Sequence, residues 1–128
     1  MGANADTIRS GWDAFAKGDM DAATATTSDS AEIVIPESLP WGGTYTGPEG
    51  FKEMIGKFVS NFDSVSPTPQ EFLEAEGGRV LVTVKGVGTT KSGNELSGDS
   101  VWLYRMDHGK IEHAEFYGDT ATAVVALG

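Results

Sequence analysis

"RMDHGKIEHAEFYGDTATAVVAL", residues 105–127, reads as a strand, a tight turn, a second strand and a helix. "DHGK" makes the turn, and Asp119 caps the short closing helix "DTATAVVAL". Between them, Ile111 to Tyr117 form a β-strand whose side chains alternate between two faces. One face carries Ile111, His113, Glu115 and Tyr117; the other carries Glu112, Ala114 and Phe116. If the first face meets water, its polar groups are merely solvated. If it looks inward, it is the polar wall of a pocket.

Upstream of this stretch come three more strands. "ELSGDSVWLYRM" leads into the turn, and "RVLVTVKGVGTTK" precedes it, with Gly86 and Gly88 marking where a strand must bend. "QEFLEAEG" runs into Gly77-Gly78, a hairpin signal, after the break "SVSPTP". A helix opens at Pro48 and Glu49, both favourable in a first turn, and repeats apolar residues at Phe51, Met54, Ile55, Phe58, Val59 and Phe62. "PESLPWGGTYTG" (36–47) reads as a loop, although it carries Leu39, Trp41 and Tyr45. Before it stands the short apolar strand "AEIVI" (31–35), closed by Pro36. At the N-terminus "ADTIRSGWDAFAK" (5–17) spaces Ile8, Trp12 and Phe15 as a helix does, Gly18 stops it, and Asp19 caps a second helix, "MDAATATT". The order is helix, helix, strand, helix, four consecutive antiparallel strands and a helix. That order indicates one α+β domain, residues 1–128, with helices on one side of a bent sheet.

Composition narrows the function classes. The chain of 128 residues has enough apolar content for one real core. No run reaches the roughly 20 apolar residues of a membrane span, and no signal-peptide pattern opens the chain, so a cytoplasmic protein is the expectation. Nineteen acidic against nine basic residues give a net charge of −10, which disfavours nucleic-acid and membrane-surface partners. With no cysteine, thiolate catalysis and cysteine-bound metals are excluded. Only two histidines exist, and His108 lies in the turn, so a dedicated metal site is not expected. No phosphate-cradling or dinucleotide glycine motif is present, and no cofactor is implied.

Carboxylates remain. Glu115 has His113 and Tyr117 two positions away on its own face, within reach of a hydrogen-bonded group. In an apolar pocket a carboxyl's pKa rises by desolvation, and the group can move protons near neutral pH. Asp99, on the neighbouring strand with Val101 and Leu103, is the second candidate.

The pattern "LPWGGTYTGPEGFKEMIGKF", with "RMDHGKIEHAEFYGDTATAVVAL", resembles the SnoaL-like branch of the nuclear transport factor 2-like superfamily over essentially the full chain. The resemblance implies a cone: a curved antiparallel sheet wrapped around the N-terminal helices, with a deep apolar cavity. In the limonene epoxide hydrolase relatives the last strand reads W-R-D-Y-F, with its aspartate facing the cavity as general base. Alignment on "GKI" puts Glu115 at that acid, His113 at the tryptophan and Tyr117 at the phenylalanine, so this face is expected to look inward. The epoxide hydrolase's other polar positions fall on Val84, Gly86, Ile33 and Ile35, and the isomerase base of the ketosteroid branch also falls on Ile35. Neither of those mechanisms is supported.

The implied function is a cofactor-independent acid–base enzyme of isomerase, cyclase or lyase type. Its substrate would be an apolar, carbonyl-bearing small molecule such as a polyketide. Glu115 would transfer the proton, His113 and Tyr117 would position it, and Asp99 would stand in reserve. Trp12, Phe15, Phe58 and Phe62, which read as core, and Trp41 and Tyr45, two aromatics of a glycine-rich loop that imply something to cover, become the substrate-binding candidates. The alternative is a non-catalytic binding or carrier protein of the same fold. A homodimer is expected, with the outer sheet face, including Trp102 and Tyr104, covered by a second chain.

Overall fold

The computed structural model describes residues 2–128. Helix α1 (Ala3–Ala16) buries Ala5 and Ile8 and turns Trp12 inward on the same stripe. Its N-terminus is capped from outside: the Ala5 amide donates to the Glu74 carboxylate at 2.8 Å, an anion where the helix dipole favours one. Helix α2 (Met20–Ala23) is capped by Asp19 and ends sooner than its sequence implies. β-Branched threonines follow, and at Thr27 the chain is already extended. Helix α3 (Gly47–Val59) starts with Pro48 in its first turn and buries Phe51 and Met54.

Six strands form one sheet in the order β2-β1-β6-β5-β4-β3: β1 (Thr27–Ile35), β2 (Gly43–Thr46), β3 (Phe62–Ala75), β4 (Arg79–Thr90), β5 (Glu95–Asp107) and β6 (Lys110–Gly118). Three elements differ from the sequence expectation. Helix α3 stops at Val59, so Phe62, read on its helical repeat, instead opens β3. Within the stretch read as a loop, Gly43–Thr46 pairs with β1 as β2, four residues being too few to show a period. "SVSPTP" belongs to β3, because β3 is an edge strand, and an edge has one side where a proline's missing N–H breaks no ladder. The sheet is also not purely antiparallel: β1 and β6 run parallel. The turn between β5 and β6 places His108 (φ 50°) and Gly109 (φ 76°) in the left-handed region, as a two-residue hairpin of the type that follows strand twist requires.

Helices α1 and α3 lie on one face of the sheet, and α4 (Thr120–Leu127) packs beside β5. That inner face carries Ile33 and Ile35 from β1, Val80, Val82 and Val84 from β4, Tyr104 from β5 and Ala114 from β6, all buried. Full burial of a side chain such as Ile33 or Val82 contributes about 1.5–3 kcal/mol. Register shifts in β3, β5 and β6 bend the sheet around the helices. Among the described residues, no helix is long and apolar enough to cross a membrane.

One shift decides which residues face inward. Met106 pairs with Ile111, but Arg105 pairs with His113, so Glu112 is an extra residue in β6. Such a bulge reverses the alternation beyond it. Ile111 is inward before the bulge, and Ala114 and Phe116 are inward after it.

Candidate functional site

A cavity of about 320 Å³ opens between α1, α3, the inner sheet face and the start of α4. Its walls are aromatic. Trp41 packs edge-on to Phe58 at 5.1 Å, and Phe58 meets Phe62 at 5.3 Å. Across from them, Trp102 stacks on Tyr104 with 5.9 Å between centroids and 19° between planes, and Phe116 meets Trp102 edge-on at 5.6 Å. Trp12 and Phe15 of α1 close a further side.

Polar groups are few. Trp12 Nε1 donates to the Tyr104 hydroxyl at 3.1 Å. Burial pushes the Tyr104 phenol well above its ordinary value, with the Trp12 hydrogen bond working the other way, so the hydroxyl is neutral. Exposed lining residues Ser97, Asp99, Asp119 and Thr122 mark the mouth. Asp119 caps α4 there, accepting from the Thr122 amide at 3.0 Å and its hydroxyl at 2.7 Å, and those donors hold its carboxyl below the usual range. Among the described residues, no three His, Asp or Glu side chains gather as a metal-binding group.

The candidate residues divide between the two faces. Trp12, Phe15, Trp41, Phe58 and Phe62 line the cavity. Tyr45 does not: it is buried beneath α3, and its hydroxyl donates to the Trp41 carbonyl at 2.8 Å, holding the loop that carries Trp41. The expectation that His113, Glu115 and Tyr117 look inward is overturned. The bulge at Glu112 turns them onto the outer face, in register with Arg105, Leu103 and Val101. There His113 Nε2 and Glu115 Oε1 lie 3.1 Å apart, with Glu32 at 3.9 Å from Nδ1 and Tyr117 half exposed. Desolvation, then the adjacent Glu115 carboxylate, raises the Tyr117 phenol. Asp99 touches the cavity at its mouth but is exposed, and its register partner is Lys85.

The same parity reverses Trp102 and Tyr104, which were expected outside and instead form the cavity wall. They are the functional positions that reading the sequence misplaced. Ala114 and Phe116, apolar in a strand otherwise rich in charge, were the available signal.

A curved, unclosed sheet enclosing helices and an apolar cavity defines the nuclear transport factor 2-like class, and solved structures similar to this one agree. An NTF2-like protein of unknown function from Burkholderia pseudomallei K96243 superimposes with a TM-score of 0.90 at 24% identity, covering 99% of this chain and 98% of its own. TerC, crystallised with polyporic acid, gives a TM-score of 0.87 at 26% identity, with 97% of each chain covered. A protein described as a SnoaL-like polyketide cyclase, from Jannaschia sp. CCS1, gives 0.79 at 17% identity over 97% of this chain and 90% of its own. The sequence profile of the SnoaL-like domain matches residues 8–114, and the chain belongs to that family. No curated protein matches it.

Proposed function

We propose that this protein binds a flat, apolar, polyketide-like small molecule in its aromatic cavity, without itself carrying an embedded general base. One observation carries the reading: the acidic residues that border the cavity, Asp99 and Asp119, are both exposed at its mouth, Asp99 alternating with Val101 and Leu103 onto the outer face opposite Lys85 and Asp119 engaged as a helix cap. Neither is enclosed by the apolar wall, the setting that favours a carboxyl moving protons near neutral pH. The cavity volume falls within the range of small-molecule sites. The co-crystallisation of TerC with polyporic acid supports an occupant of small-molecule size.

The second reading is an acid–base cyclase or isomerase acting on a carbonyl compound, and Asp99 is the residue that favours it, because it touches the cavity. Thermal-shift screening of aromatic ketones and polyketide fragments, with mass spectrometry of the recovered ligand, separates the two. A binder is stabilised by about 2.7 kcal/mol at a hundred times Kd and returns its ligand unchanged. Conversion abolished by Asp99→Asn establishes the enzyme, and absence of any stabilisation across the screen refutes both.

For assembly, the reading is a homodimer through the outer sheet face. Leu73, Leu81 and Leu103 stand in one row across β3, β4 and β5 on that face, with Leu73 half exposed. Helices cover only the other side.

A further inference from the structure

Tyr104 is the most deeply buried polar side chain in the cavity wall, and its hydrogen bonding is incomplete. An indole nitrogen can only donate, so the 3.1 Å contact from Trp12 occupies a lone pair of the Tyr104 oxygen and leaves the hydroxyl hydrogen to find its own acceptor. Among the described residues, it donates no hydrogen bond to another group. Tyr104 is only 4% exposed, so bulk water does not satisfy it either. A buried donor left unused is costly, and the fold holds this one in place from two elements, α1 through Trp12 and β5 through the backbone.

The surroundings define the missing acceptor. Trp102 stacks beside Tyr104, and Phe51 and Phe116 flank Trp102, so the molecule that reaches the hydroxyl is flat and apolar there. Asp99 and Asp119 at the mouth disfavour an anion. A carbonyl oxygen accepts and does not donate, which matches the O–H that Tyr104 has left over.

We infer that the Trp12–Tyr104 pair is a carbonyl-binding site, which orients a neutral, flat, conjugated ketone or quinone with its oxygen on the Tyr104 hydroxyl. The inference rests on the reading of the cavity as a small-molecule site, and names what that site selects. Trp12 acts through Tyr104: by donating to the phenol oxygen it fixes the ring and polarises the O–H toward the ligand. Tyr104 is the contact residue and Trp12 the positioning residue.

A matched pair of probes tests this. 9-Fluorenone and fluorene share a flat tricyclic frame and differ at one carbon, a carbonyl in the first and a methylene in the second. The wild type is expected to bind fluorenone about tenfold more tightly than fluorene by titration calorimetry, and the fluorenone carbonyl stretch should move to lower frequency on binding. Tyr104→Phe should erase that preference and the shift; Trp12→Phe should reduce the preference by a few-fold. Equal affinity of the wild type for the two probes, or an unshifted carbonyl band in the bound state, overturns the carbonyl site while leaving the cavity reading standing. Binding of neither probe overturns both. Because the wild-type preference and the infrared band need no variant, a poorly folded Tyr104→Phe protein leaves the test intact.

Discussion

Gly86 faces the cavity from β4 between Val84 and Gly88, opposite Gly98 on one side and Pro67 on the other. A Cβ built there meets only the Gly98 carbonyl oxygen, at 3.8 Å, an ordinary contact. Two positions on, a Cβ at Gly88 would come within 2.8 Å of the Ser64 carbonyl oxygen, so that glycine is required by the close approach of β3. The room at Gly86 is therefore ligand space rather than a packing necessity, and Gly86→Val should change stability and binding in opposite directions. Removing a strand glycine stabilises by roughly 0.5–1 kcal/mol, with a few tenths more from a β-branched residue. For a chain of this size that is a rise in Tm of about 3–5 °C. The added methyl groups occupy part of the 320 Å³, and overpacking a bound ligand costs roughly 1–3 kcal/mol, a loss of about five- to 150-fold in affinity. Scanning calorimetry of the unliganded protein and titration with 9-fluorenone measure the two effects. Lys85→Val, one residue away on the outer face, is the control and should leave affinity unchanged. A Gly86→Val protein that melts earlier than wild type, or that binds fluorenone equally well, refutes this account of the cavity.

Glu115→Gln is expected to leave ligand affinity within about twofold of wild type, since its carboxylate lies across the sheet from the cavity; a loss beyond tenfold, about 1.4 kcal/mol, would return that strand face to the interior. Asp119→Ala should fray α4 and speed ligand release in stopped-flow displacement, because Asp119 caps the helix that borders the mouth. The cap's pH dependence has a definite sign. The folded carboxyl titrates below its ordinary value of 3.8, so its stabilisation is complete above that pH and disappears as pH falls through the folded value. Melting curves of wild type and Asp119→Ala should differ at neutral pH and converge in strong acid; a gap that persists in acid would exclude the carboxylate as its cause. Sedimentation at micromolar concentration should show a dimer that Leu103→Arg converts to a monomer, and a wild-type monomer would show that the leucine row is unpartnered.

The sequence by itself determined most of the architecture. Apolar spacing in α1 and α3, the capping aspartates Asp19 and Asp119, and the glycine-marked turns are local signals, and each acts over a few residues whatever the rest of the chain does. Trp12, Phe15 and Phe58 were legible as aromatic positions on the inner side for the same reason, whereas Trp41 stood out only as an aromatic in a glycine-rich loop and Phe62, read on a helical repeat, opens β3. β2 and the proline-containing half of β3 were not, because what makes them strands is a partner distant in sequence: β1 for Gly43–Thr46, and β4 for Ser66–Gln70. The face of β6 was decided by tertiary structure alone. Strict alternation places His113, Glu115 and Tyr117 with buried Ile111, and one additional residue, Glu112, moves all three to the outer surface. Nothing local marks that bulge. It is set by the need to bury Met106 and Ile111 together at one end of the hairpin, and Tyr104 against Ala114 and Trp102 against Phe116 further along. A two-residue period allows no intermediate outcome, so that single insertion exchanged a carboxylate wall for one of aromatic rings and the Tyr104 hydroxyl.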